Sequence, residues 1–325
     1  MLVSRCKIYI VVPSKEIMHL QKRIINGKTY TYLDHSFRIG DKIKKASLML
    51  DKEKEKYNED VIERIAKERA VYFKDHFQTY FSLQEITEIE TEKLFYQIFF
   101  HALNTKSKQE ILAEFVRLFL ANSMELEGST ITPQIAEDIE RKKKNILPEL
   151  DVQLYHNSKE ALSKAMKYQL RSVIQFKQLH KVIYEGVYRH AGNFKEHVNT
   201  FGYTEKADTT PPEEIREKLK KALDEHRDKK TYPFLKPLLF HLRYQKIHPF
   251  ADGNSRFGRI LLVAQMTKLN YPPLMFKGDM SFQIRETLVD YCNHEHLDFC
   301  RLAMEQYLHT SRKFWRPMIK KFMLL

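Results

Sequence analysis

Residues 248–259 read HPFADGNSRFGR, which sets a histidine, an aspartate, a Gly-Asn pair and two arginines within twelve positions. The flanks say what holds them. PFLKPLLFHLRYQKI (233–247) has the apolar spacing of a helix and runs into Pro249, while RILLVAQMTKL (259–269) has the pattern of the next helix. ADGNSR therefore occupies the turn between two helices. A helix N-terminus presents unpaired amides and a partial positive charge, so the backbone of Gly253, Asn254 and Ser255 is expected to form an anion nest. Arg256 and Arg259 stand three apart on one face and suit a shared polyphosphate. Asp252 is a carboxylate of the kind that holds Mg²⁺ bridging phosphates, and His248 is a base that works near neutral pH. Neither a Walker loop nor a GxGxxG fingerprint occurs, so P-loop and dinucleotide-fold readings have no support.

Working outward, 325 residues with 43% hydrophobic and 30% charged side chains describe a chain able to bury a large core. Only 9 glycines and 11 prolines occur, which favours helices. No apolar run approaches the roughly 18 residues that span a bilayer, and IYIVV (8–12) stops too early for a signal peptide. A cytoplasmic location without membrane contact is the expectation. Three cysteines, Cys6, Cys292 and Cys300, fit reduced thiols better than a disulfide framework. CNHEHLDFC (292–300) looks like a metal set, yet on one continuous helix His294 and His296 would point about 200° apart. The net charge is +13, with 13 Lys/Arg against 6 Asp/Glu through Asn58. That excess fits either a solvated basic surface or a nucleic-acid or acidic partner.

The charge-rich start is also where β signals gather. Asn26-Gly27 and Gly40-Asp41 are turn pairs around TYTYLDHSF, which predicts a three-stranded antiparallel meander, with IYIVV as a candidate further strand. From Lys52 the chain reads helical. Ser82 with Glu85 and Ser107 with Glu110 have capping-box spacing, and Thr132-Pro133 supplies an N-cap and a first-turn proline. Further helices are predicted near 158–168, 172–186, 212–226, 233–246, 256–268 and 281–309. The expected organisation is a small basic β unit (1–51), a helical connector (52–106) and a larger helical domain (107–325, core 171–305).

The 248–259 loop resembles the Fic-domain signature, His-x-Phe-x-(Asp/Glu)-Gly-Asn-x-Arg-x-x-Arg. The resemblance extends over 108–305: LHKVIYEGVYRHAGNF (179–194) resembles the family's helix and following turn, and VNTFGYTEKADTTPPEEI (198–215) its flap hairpin. It implies a mostly α fold, a Fic-type helical bundle with a short β-hairpin flap, beside the N-terminal meander. It also implies transfer of AMP from ATP, with Mg²⁺, to a Ser, Thr or Tyr hydroxyl of a protein. His248 would be the base, Phe250 the anchor of the loop, and Asp252 the Mg²⁺ ligand. Asn254 and the nest amides would hold the α-phosphate, and Arg256 and Arg259 the β- and γ-phosphates. Val198, Asn199, Thr200, Phe201, Gly202 and Tyr203 would form the flap edge that docks an extended target segment. One position departs from the common form: Ser255 stands where glycine is usual, and a positive φ there would cost about 1 kcal/mol. That departure bears on which group is transferred.

Upstream, SMELEGSTIT (123–132) follows the apolar helix EILAEFVRLFLAN. Ser123 and Glu127 are four apart, and Gly128 suits a helix C-cap. Alone this is an acidic helix end. Beside the loop it resembles the family's inhibitory motif, (Ser/Thr)-x-x-x-Glu-(Gly/Asn), which implies that Glu127 pairs with Arg259 and misaligns ATP. The same site could mainly remove AMP, or transfer another nucleotide or a phosphate group. A reading of another class is an ATP-sensing binding protein whose basic N-terminal unit docks RNA, DNA or an acidic partner. The resemblance further implies self-modification and a homodimer.

Overall fold

The computed structural model describes residues 18–26, 28–39, 42–49, 55–142, 148–167 and 172–323. β1 (Met18–Ile25), β2 (Lys28–Ile39) and β3 (Lys42–Met49) pair antiparallel in that order. Ile25 faces Lys28 and Ile39 faces Lys42, and Asn26 takes the left-handed turn conformation at φ 50°. The meander agrees with the sequence expectation; IYIVV, Cys6, Gly27 and Gly40-Asp41 lie outside the described residues. The side chain of Asn58 pins the end of β3 to the first helix, accepting from Met49 N at 3.0 Å and donating to Met49 O at 2.6 Å.

The rest is helical: α1 (Glu55–His76), α2 (Leu83–Phe95), α3 (Thr105–Glu125), α4 (Pro133–Glu140), α5 (Glu149–Lys167) and α6 (Val173–Tyr184) precede a two-stranded hairpin, β4 (Thr200–Phe201) and β5 (Ala207–Asp208). There follow α7 (Ile215–His226), α8 (Leu235–Ile247), α9 (Asn254–Lys268), α10 (Ser281–His294), α11 (Asp298–Thr310) and α12 (Arg316–Met323). α2 runs on into a π-helical turn, Tyr96–Phe100, whose side chains are all buried. Local chemistry accounts for several starts. Ser82 and Glu85 close a reciprocal capping box, and Thr132 caps α4 ahead of Pro133.

Two local expectations change. α3 begins a turn earlier than Ser107: Asn104 is the N-cap and its Oδ1 accepts from Ser107 N at 2.9 Å. The predicted 281–309 helix is two helices, because Glu295 turns left-handed at φ 60° and the chain restarts at Asp298. His294 and His296 are therefore not on one helix, and their rings sit 5.6 Å apart. The helical-phase reason for dismissing a metal there does not hold. His296 instead contacts Asp290 at 3.1 Å on the exposed surface.

α8 and α9 form the centre, and nearly every residue of α9 is buried. One apolar cluster joins residues of α3, α5, α6 and α9; a second joins α8, α10 and α11 to Phe81, Ile86 and Ile89. Within the second, the fully buried Glu90 pairs with Arg69 at 2.9 Å and accepts from Tyr232 and Tyr271 hydroxyls at 2.8 and 2.9 Å. A buried carboxylate survives only when so satisfied. Among the described residues no helix is long and apolar enough to cross a membrane.

Candidate active site

α8 ends at His248, whose backbone is itself left-handed (φ 47°, ψ 60°). A non-glycine residue in that region costs of order 1 kcal/mol and persists only where its surroundings enforce it. Here they do. Phe250 is fully buried and stacks on His180 at 3.7 Å with 9° between the rings. His180 Nδ1 accepts from Gly192 N at 3.0 Å, which leaves Nε2–H to donate to Asp252 O at 3.0 Å. Burial lowers the His180 pKa to about 4, so the neutral ring keeps this tautomer. Lys195 N donates to Pro249 O at 3.0 Å and ties the loop to the base of the flap.

Asn254 has a different task from the one expected. Its Oδ1 accepts from Phe250 N at 3.0 Å and its Nδ2 donates to Phe250 O at 2.7 Å, so the side chain brackets its own loop. The anion site is left to backbone amides: Gly253 is the N-cap of α9 and no side chain caps that helix. Gly253 sits at φ 76°, and a Cβ there would lie 2.0 Å from the Tyr184 hydroxyl. Ser255 lies inside α9 and is not among the positive-φ residues, so serine there costs no strain. The left-handed position is Gly253.

The two arginines differ in setting. Arg256 Nη1 donates to the Tyr184 hydroxyl at 2.9 Å, and its buried Nε has no hydrogen-bond partner among the described residues. Arg259 donates from Nε to Ser123 Oγ at 2.9 Å, and from Nη2 to Ser123 O at 2.6 Å and Glu127 Oε1 at 2.9 Å. Ser123 is in the last turn of α3 and Glu127 just beyond it. Gly128, at φ 83°, closes that end, donating to Glu125 O at 2.8 Å, while Ser129 N donates to Met124 O at 3.1 Å. Burial pushes the Glu127 carboxyl up, but Arg259, with Arg256 and Arg285, more than offsets it and the net shift is down. Burial pulls Arg259 down against the Glu127 carboxylate, yet a guanidinium stays protonated.

Arg259 and Glu127 line one cavity of about 140 Å³ together with Gly253, His248, Asp252, Phe201 and Arg285. Ligand clefts usually measure roughly 300–1,000 Å³, and Glu127 takes up part of this smaller one. Burial, then the nearby Lys195 cation, lowers the His248 pKa to about 4, so its ring is neutral at neutral pH. Lys195 is itself lowered to about 8 by burial, and donates to Thr209 and to Asn199 Oδ1 at 2.9 Å. The flap strand is shorter than the predicted Val198–Tyr203 edge. Phe201 stacks over His248 at 5.3 Å, Val198 and Tyr203 are exposed, and Gly202 lies between. Asp252 is exposed; its Oδ1 accepts from Gly253 N at 2.7 Å, and among the described residues no hydrogen bond engages Oδ2. One carboxylate with a free oxygen fits Mg²⁺, which takes much of its shell from water and phosphate.

The sequence pattern located Ser123, Glu127, Asp252, Gly253 and both arginines, and these do converge. It missed His180, Tyr184, Lys195 and Arg285. Only the lone polar ring of His180, four positions before Tyr184 on an otherwise apolar helix face, carried a signal.

The Fic/DOC family model matches residues 172–266. A protein adenylyltransferase Fic from Nematostella vectensis is 28% identical over 191 residues, covering 56% of this chain and 43% of that protein. The chain thus spans less than half the length of this curated relative. Two solved structures are similar: a Fic family protein from Desulfovibrio desulfuricans G20 (TM-score 0.63, 17% identity, 73% of this chain and 76% of that one) and Fic-1 from C. elegans (TM-score 0.62, 16% identity, 82% and 83%). At such identity the likeness speaks for the fold.

Proposed function

For a chain that carries a Fic/DOC domain, we propose that it is a protein adenylyltransferase held off by Glu127. The reading moves AMP from ATP to a Ser, Thr or Tyr hydroxyl of a target protein, or of the chain itself. The observation that carries it is the Arg259–Glu127 contact at 2.9 Å, at the first-turn amides of α9 and in the same cavity as His248. A basic pocket with a helix N-terminus and a neutral imidazole serves phosphoryl-type transfer, in which positioning and charge stabilisation do most of the work.

In this mechanism the acceptor oxygen bonds to the α-phosphorus, the bond from that phosphorus to the bridging oxygen breaks, and pyrophosphate leaves. The hydroxyl proton passes to the His248 imidazole. The α9 amides hold the α-phosphate, Arg256 is oriented by Tyr184, and Arg259 grips the terminal phosphates once Glu127 lets go. Mg²⁺ at Asp252 would neutralise phosphate charge. Because Ser255 is helical, its presence gives no reason to prefer another transferred group. A second reading, removal of AMP by water, draws on one observation: Glu127 lines the cleft and its Oε2 makes no hydrogen bond among the described residues.

The test incubates wild type, Glu127→Gly and Glu127→Gly/His248→Ala with Mg²⁺ and ATP labelled on the α-phosphate. Label on protein only in Glu127→Gly supports both the transfer and the switch. Label from γ-labelled ATP or from UTP alone would replace AMP with another group, and none from any nucleotide would favour the binding-protein reading.

A further inference from the structure

Four cations stand in or beside the cleft, and three have polar partners: Arg256 with Tyr184, Arg259 with Ser123 and Glu127, Lys195 with Asn199 and Thr209. The fourth is Arg285, half-buried on α10. Among the described residues its guanidinium makes no hydrogen bond or ion pair. It rests on the ring of the flap residue Tyr203, 4.1 Å from the centroid. Tyr203 is in turn stacked on Phe282 at 5.9 Å and its hydroxyl meets Ser281 Oγ at 3.3 Å. Tyr203 and Phe282 are 48% and 55% exposed, which leaves an aromatic ledge open to solvent beside an unspent positive charge.

Arg285 lines the same cavity as Arg259 but is set against the flap. The nest amides, Arg256 and Arg259 belong to α9, whereas Arg285 is held against the flap. Phe201, two residues before Tyr203, covers His248, so an acceptor hydroxyl must come to the base beneath this part of the flap. Two residues of extended chain advance about 7 Å. A side chain next to the acceptor, or two removed, therefore falls within reach of Arg285.

We propose that Arg285, with the Tyr203–Phe282 ledge, is a specificity subsite for an extended protein segment carrying Asp or Glu within two residues of the acceptor hydroxyl. This rests on the adenylyl-transfer reading above. A guanidinium stacked on an aromatic ring keeps its edge free for a carboxylate, and such charge-assisted pairs are geometrically selective. The ledge supplies apolar contact for the residue between. Release of Glu127 takes away the cleft carboxylate whose field Arg285 feels, so the subsite is most open when the enzyme is active.

The experiment uses the full chain in the Glu127→Gly form, with Mg²⁺, α-labelled ATP and a peptide library. Ser, Thr and Tyr acceptors are flanked at one or two positions by Asp/Glu, Ala or Lys. Acidic peptides should be labelled roughly tenfold or more faster than their Lys counterparts. Arg285→Gln should erase the preference through KM for peptide, Arg285→Lys should keep part of it, and Arg285→Glu should favour the Lys set. Equal labelling of all peptide sets, or label on the chain with none on any peptide, overturns the inference while transfer itself stands. So does an Arg285→Gln defect confined to KM for ATP, which would assign the residue to phosphate. If neither chain nor peptide takes label, the transfer reading itself has failed, and this subsite fails with it.

Discussion

Replacing Glu127 by Gly should lower the stability of the free protein and raise its affinity for ATP, opposite signs from one contact. Arg259 is 6% exposed at its side chain and makes three hydrogen bonds, one of them to Glu127. A hydrogen bond to a charged group is worth roughly 1.5–3 kcal/mol. Glu127 is 27% exposed, which places the loss at the low end, about 1–2 kcal/mol. For a chain of this length that is a fall of roughly 2–4 °C in Tm. The guanidinium then meets phosphate with a bond of the same kind, so Kd for ATP should drop about tenfold or more. Thermal melts with and without Mg·ATP read both effects. At saturating nucleotide the variant should gain about 1.4 kcal/mol more from ATP than wild type does. Glu127→Gln, which keeps the volume and removes the charge, should bind ATP between the two. Ser123→Ala removes only the Oγ acceptor while the Ser123 carbonyl stays, so its cost should be about 0.5–1.5 kcal/mol with little activation. If Glu127→Gly binds ATP no more tightly than wild type while its Tm still falls, the carboxylate is only structural and the argument fails.

Gly253→Ala should all but abolish nucleotide binding: a Cβ would sit 2.0 Å from the Tyr184 hydroxyl at a φ that disfavours side chains. Calorimetry with ATP checks this, and wild-type affinity would refute the nest. His180→Phe keeps the stack on Phe250 but loses the bonds to Asp252 O and Gly192 N, so at about 1 kcal/mol per bond Tm should fall by several degrees and Kd for ATP should rise. Proton linkage gives a third outcome. His180, His226 and His248 have folded-state pKa values lowered to about 4 and His241 to about 3, all by burial. The unfolded chain therefore binds more protons as pH falls from about 6.5 towards 4, and each such proton costs the folded state about 1.4 kcal/mol per pH unit. Tm should fall steeply between pH 6.5 and 5; a flat profile there would mean the rings are not buried and neutral. The same lowering of His248 predicts that transfer by Glu127→Gly keeps its rate down to about pH 5.5, well below the midpoint of a free imidazole. An acid limb centred near 6.5 would contradict it.

What could be read from the chain alone was whatever is encoded within a few residues. HPFADGNSRFGR places its groups on a helix-ending proline and a helix-opening Gly-Asn, so the loop and its anion nest follow from short-range rules. Capping at Ser82 and Thr132 and the Asn26 turn belong to the same class. The switch was named from SMELEGSTIT because that stretch resembles a known motif, not because spacing showed its partner. Its contact with Arg259 joins residues 132 positions apart and exists because the end of α3 packs on α9. Local rules failed where tertiary contacts competed with them. Asn104 displaced Ser107 as a cap, Glu295 broke a helix that periodicity would continue, and Asn254 turned inward to bracket Phe250. His180, Tyr184, Lys195 and Arg285 had no local pattern at all. Their roles arise because α6, the flap and α10 converge on one turn, and a one-dimensional pattern cannot express which buried faces will meet. The sequence determined the reactive loop; packing decided which charges press on it, and which carboxylate occupies its arginine.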